Sequence, residues 1–237
     1  MSLRAIRNKL KTAADPKKAA FLPSFFKTGK GEYGEGDRFI GVTVPKIRGI
    51  AREHAKLSLK EIELLLKSPI HEERLLAVII LSNQYARAEE KQKEALYRFY
   101  LKNAKRVNNW DLVDSSAHKI VGPHLDGKDD KILDALANSK NLWEKRIAII
   151  STFYFIYKGD CSKTYRIADL LMKDEHDLIH KAVGWMLRET GKRCSEVGLE
   201  RYLEPRAAKM PRTMLRYAIE KMLPSKRAHY LALKRVS

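Results

Sequence analysis

The chain has only two cysteines in 237 residues, Cys161 and Cys194. Neither belongs to a CxxC pair or a Cys/His cluster, so the spacings of a zinc site are missing. Two scattered thiols predict a reduced, cytoplasmic protein. Long apolar runs are also missing. LLAVIIL at 75–81 and the stretch near 147–157 are too short to cross a bilayer. The first twenty residues are basic and polar, with no apolar core of a secretory signal. No GxxxxGK[ST] or GxGxxG loop occurs, and GKGEYGEGD at 29–37 carries three acids that would oppose nucleotide phosphates. No nucleophile elbow or Cys/His metal cluster is present, so neither a metal nor a cofactor is expected.

Acids are scarce relative to bases. Lys and Arg total 47 against 29 Asp and Glu, a formal charge of +18. Such a chain repels itself, and the excess is most naturally matched by a polyanionic partner. Nucleic acid comes first, because neutralising phosphates releases condensed counterions. An anionic membrane surface comes second, and a solvated basic surface without a dedicated partner is the plainest alternative.

Glycine and proline are sparse, 12 and 8 residues, and cluster at boundaries between segments of helical periodicity. A first helix is expected from about residue 3 to 20, closing near Pro23. Residues 25–42 break the pattern, with five glycines among Tyr33, Phe39, Ile40 and Val42. Glycines flanked by β-formers predict a β-hairpin insertion over about 29–42, or an ordered loop. A helix can then begin near Lys46, after Pro45.

From residue 58 to 223 short and longer amphipathic segments alternate. The longer ones begin near 70, 108, 141, 176 and 211, with offsets of 38, 33, 35 and 35. A recurring helix pair of this length is the mark of an α-solenoid, since one pair cannot bury its apolar face alone. The expected fold is therefore all-α, one helical-repeat solenoid domain over residues 1–237, an α-α superhelix with a Gly-rich hairpin. An irregular bundle is the alternative.

A solenoid lines its concave face with equivalent positions of its second helices. Those positions carry Arg74, Trp110 with Asp114, Arg146, Trp185 with Arg188, and Arg212 with Arg216. Arginine forms forks with phosphate, and an indole offers a flat face to sugar or base. Trp110 and Asp114 lie one turn apart on one helix face. A carboxylate there weakens phosphate binding, which suggests that it faces a cation. It could equally pair with Arg146 and only stabilise the array. Trp143 and Trp185 could be core, as could the aromatics at 153–157. His118, His176 and His180 read as surface or capping residues.

At NNWDLVDSS, LWEKRIAI and KAVGWMLRE the chain resembles the AlkD-type family of HEAT-like-repeat DNA alkylation-repair proteins. The likeness runs from about residue 5 to 225, with the motifs in order on successive second helices. It implies HEAT-like repeats, a duplex cradled on the concave face, removal of cationic N3- or N7-alkylated purines, and a site made of Trp110, Asp114, Arg146 and Trp185. A solenoid capped by a polar first helix can remain a monomer, and the expected location is the bacterial cytoplasm, at the nucleoid when DNA-bound. An alkylated purine is positively charged, and its departure leaves an oxocarbenium-like sugar. A carboxylate can stabilise that cation and orient water, indole faces can flank it, and Arg146 would hold a phosphate.

The sequence is similar also to the hairpin-containing AlkF/AlkG-type branch, through the Gly-rich segment. Phe25 stands where the glycosylases place a DNA-contacting Tyr, and Asp177 and Leu178 replace two aromatics before Trp185. The alternative function is therefore a glycosylase-inactive binder of branched or distorted DNA, with Lys30, Tyr33 and Arg38 of the hairpin as contacts. A protein-scaffolding solenoid is the third reading.

Overall fold

The computed structural model describes residues 3–234. Among them fifteen α-helices and a single 3-10 turn occur, and no named strand. The contacts group into two units, residues 1–120 and 121–237.

In the first unit, α1 (Leu3–Ala13) buries Ile6 and Leu10, one turn apart. The single opening helix expected from the periodicity is in fact two. Asp15 accepts from the amides of Lys17 and Lys18, and Pro16 starts α2 (Pro16–Phe25). The cap ends one helix and begins another where apolar spacing alone runs on. Next come α3 (Val44–Glu53) and α4 (Leu59–Leu66), the latter opened by a capping box between Ser58 and Glu61. The long α5 (His71–Arg87) is buried on nearly every side and packs against α3, α4 and α6 (Glu90–Lys102). It is the spine of this unit. α7 (Trp110–His124) begins after the 3-10 turn at Ala104–Arg106 and carries the boundary between the units.

The expected β-hairpin does not form. Residues 26–37 run through successive turns, and the only bridge described there joins Arg38 to Ile70 in parallel. The physical reason is a competing acceptor. The buried carboxylate of Glu72 takes the amides of Ile40, Gly41 and Val42 at 2.7–3.3 Å, so the returning arm binds α5 instead of its own other half. Gly41 allows this at φ +82°, with Asp15 O only 2.1 Å from where a Cβ would sit.

In the second unit, α8 (Lys131–Ala137) pairs with α9 (Leu142–Ser151), followed by the short α10 (Phe153–Tyr157). The continuous helix expected over 141–157 is thus divided at Thr152. α11 (Ser162–Leu171) pairs with α12 (Asp177–Arg193), and α13 (Glu196–Leu203) precedes α14 (Arg212–Ala218) and α15 (Pro224–Ala232). The second helices α9, α12 and α14 pack in succession, as do the first helices α8 and α11. With α5 and α7 they start at 71, 110, 142, 177 and 212, within two residues of the positions read from the sequence. The architecture is the helical repeat expected from that periodicity.

The cysteines are not free thiols. Cys161 and Cys194 form a disulfide that joins the start of α11 to the end of α12. Their separation of 33 residues is close to one repeat, which brings equivalent helix ends together. No helix of the described residues is long and apolar enough to cross a membrane.

Candidate nucleic-acid interface

In the first unit the sequence places Trp110 at the first position of α7 and Asp114 one turn later, both half-buried. Asn109 precedes them, and its side-chain carbonyl accepts the Trp110 amide at 2.8 Å. The indole is one ring of a stack. Phe26 lies parallel to it at 5.3 Å and 10°, and Phe25 meets it edge-on at 6.0 Å. Behind Phe26 lie Phe39 at 4.9 Å and the His71 imidazole at 4.8 Å.

The imidazole is pinned from both sides. Its Nδ1 lies 3.0 Å from Asp37 and its Nε2 2.8 Å from Asp111. Asp37 also accepts from Arg74 and from the Asn109 amide. Burial opposes the charge on His71, but the Asp111 carboxylate and then the bonds to both acids win, and its pKa rises to about 9. At Asp37 burial is likewise the largest influence and opposes ionisation. The bond to His71, the Arg74 charge and the Asn109 amide nevertheless hold its carboxyl below the usual range. Two cations and two carboxylates therefore fasten the Gly-rich segment to α5 and to the start of α7, under the indole.

Arg74 was an expected phosphate contact. It is 4% exposed, tied to Asp37 and to the Ser68 carbonyl, and so is a buried structural ion pair. Lys30 and Arg38 are exposed and Tyr33 is half-buried. His118 is half-buried rather than exposed, and burial first, then Lys119, pushes its pKa down to about 4.

In the second unit Trp143 is core, and Trp185 is half-buried against Phe153 at 5.6 Å. Arg146 is 5% exposed and donates to the Leu178 carbonyl at 2.6 Å. That burial leaves it little surface for a phosphate, contrary to the expected contact. Arg188 is half-buried and shared between Glu189 and Glu220, so its charge is already matched. Arg212 donates to the Leu231 carbonyl at 2.6 Å, while Arg216 is exposed. His176 caps α12, accepting the Leu178 amide as expected of a capping residue.

The profile of a family described as DNA alkylation repair enzyme matches residues 6–222. The chain belongs to that family. The DNA alkylation repair fold is evident also in a solved structure, a predicted DNA alkylation repair enzyme from Enterococcus faecalis. The two superpose with a TM-score of 0.69 at 18% identity, covering 89% of this chain and 97% of that one. No curated protein matches the sequence. Membership makes DNA repair the function class of this DNA alkylation repair protein.

The cluster of Asp37, His71 and Asp111 was not found from the sequence. Its members are 34 and 40 residues apart, and no spacing rule links them. Among the described residues no group of three His, Cys, Asp or Glu could hold a metal ion.

Proposed function

We propose that this DNA alkylation repair protein is an alkylpurine DNA glycosylase, with Asp114 beside the sugar of the lesion. The observation that carries the reading is the pairing on α7 of two half-buried side chains one turn apart. Trp110 is fixed by rings behind it, and Asp114 is a carboxylate in a chain of net charge +18. A cationic purine leaves as a neutral base, and positive charge develops on the deoxyribose. A carboxylate near that sugar lowers the barrier electrostatically and orients the incoming water. A rigid indole face adds cation-π attraction without having to reorganise. Trp185 and Arg146 enter through the family resemblance. Trp185 is accessible enough to meet DNA, and Arg146 is best read as a positioning group through its bond to the Leu178 carbonyl.

A second reading is favoured by the exposed Lys30 and Arg38 on the Gly-rich segment. In it the protein binds branched or distorted DNA without cleaving a glycosidic bond.

Methylated duplex DNA incubated with the protein and analysed for free bases separates the two. Release of 3-methyladenine or 7-methylguanine is the expected result. Absence of release, together with tighter binding to junctions than to linear duplex, would contradict the glycosylase and leave the second reading.

A further inference from the structure

The helix α2 leaves two large aromatic rings uncovered. Its sequence PKKAAFLPSF is largely apolar, yet none of its residues is buried. Phe21 is 63% exposed and Phe25 52% exposed. Their rings contact one another at 6.1 Å with an angle of 28°, and Phe25 continues to Trp110. An exposed pair of large aromatics in contact is unusual on a soluble surface without a partner.

Three observations say what kind of partner fits. First, the rings are backed rather than loose. Phe26 is buried behind them, stacked on Trp110 and on Phe39, and that stack rests on the pinned His71. The wall therefore keeps its shape when a flat ligand arrives. Second, Lys17, Phe21 and Phe25 follow one another at i, i+4 and i+8, so a cation continues the aromatic stripe. Lys18, Lys27 and Lys30 are exposed on the same segment. Third, the nearby acids are engaged. Asp15 caps α2 and pairs with Lys18, while Glu32 and Glu35 accept the amides of Gly29 and Gly31 at 2.7 and 2.8 Å. Flat apolar faces flanked by ammonium groups complement a base and its phosphates, and any base can supply the π-face.

We infer that Phe21 and Phe25 form a stacking platform for an unstacked nucleobase, continuing the Trp110 surface outward along α2. This inference rests on the DNA-binding reading above and adds to it a site for a base that has left the duplex. The lysines hold its strand, and the rings give preference to DNA with an unpaired or extruded nucleotide over fully paired duplex.

The test uses the full chain and two duplexes of equal length, one fully paired and one with a single unpaired 2-aminopurine. Stacking on a ring quenches that base. The full-length parent should bind the second duplex about 10-fold more tightly and quench it on binding. Phe21→Leu with Phe25→Leu keeps apolar bulk but removes the rings. It should lose the quench and bring the ratio of its affinities for the two duplexes to about 1. Equal loss on both duplexes, or an unchanged preference, overturns the inference. So does self-association of the parent that the double variant abolishes, which would assign the rings to a protein contact. If the parent binds no DNA at low salt, the DNA reading itself fails as well. Binding to paired duplex without any preference sinks the platform alone.

Discussion

At the scale of single residues, the first unit buries a charged cluster of His71, Arg74, Asp37 and Asp111 within its apolar core. His71 has a folded pKa of about 9 against 6.5 for a free imidazole. Its stabilisation is full below pH 6.5 and is lost as pH rises through about 9. The loss amounts to about 3 kcal/mol. Urea denaturation at pH 6.5 and 9.5 should reveal it, and His71→Gln should flatten the difference. An equal slope in both proteins would contradict the assignment. His54 behaves oppositely. It is 4% exposed with neither ring nitrogen bonded, and burial, then Lys9, push its pKa down. It folds neutral, so its contribution is lost as pH falls below 6.5 and the unfolded imidazole takes up a proton. Sequence reasoning placed Trp110 and Asp114 on one helix face but gave Arg74 and Arg146 to phosphate. It could not see that Asp37, 37 residues before Arg74, reaches back to take that charge. Ion pairs of high sequence separation leave no periodic signal.

At the scale of elements, the close approach of α12 to α14 depends on Gly184. A Cβ at Gly184 on α12 would lie 2.5 Å from both the Met214 carbonyl oxygen and the Tyr217 Cβ on α14. Alanine normally favours a helix interior by about 1 kcal/mol over glycine. Here overpacking against backbone outweighs that gain, and Gly184→Ala should lower stability by about 2 kcal/mol. Thermal unfolding measures it, and an unchanged or raised Tm would contradict the packing account. The disulfide spans 33 residues between Cys161 and Cys194. Replacing both by serine should cost about 3–4 kcal/mol by the loop-entropy relation, and added reductant should lower Tm only in the parent. Helix starts in the repeats were legible because apolar period and caps agree there. The hairpin was misread because Glu72 competes for its amides from 30 residues away. The cysteine pairing was missed because 33 residues of sequence hide a neighbourhood that the repeat creates.

At the scale of the whole molecule, the repeat of about 35 residues and the charge of +18 were the two features most plainly written in the sequence. The period led to the helical-repeat fold and the charge to a polyanionic partner, while the family resemblance came from NNWDLVDSS, LWEKRIAI and KAVGWMLRE taken together. Many of the cations are matched internally, Arg7 by Glu73 and Arg206 by Asp169 among them. The surplus is what remains for phosphate. Duplex affinity should therefore weaken about 100-fold or more between 50 and 200 mM salt, as expected for four or more neutralised phosphates. Affinity that ignores salt would argue against an electrostatic interface. The chemistry itself is tested most directly by single-turnover release of 7-methylguanine from methylated duplex, comparing the parent with Asp114→Asn and measuring duplex affinity in parallel. The account predicts release by the parent and a fall of at least ~100-fold in the variant, at unchanged affinity. Equal release rates in the two proteins would contradict it.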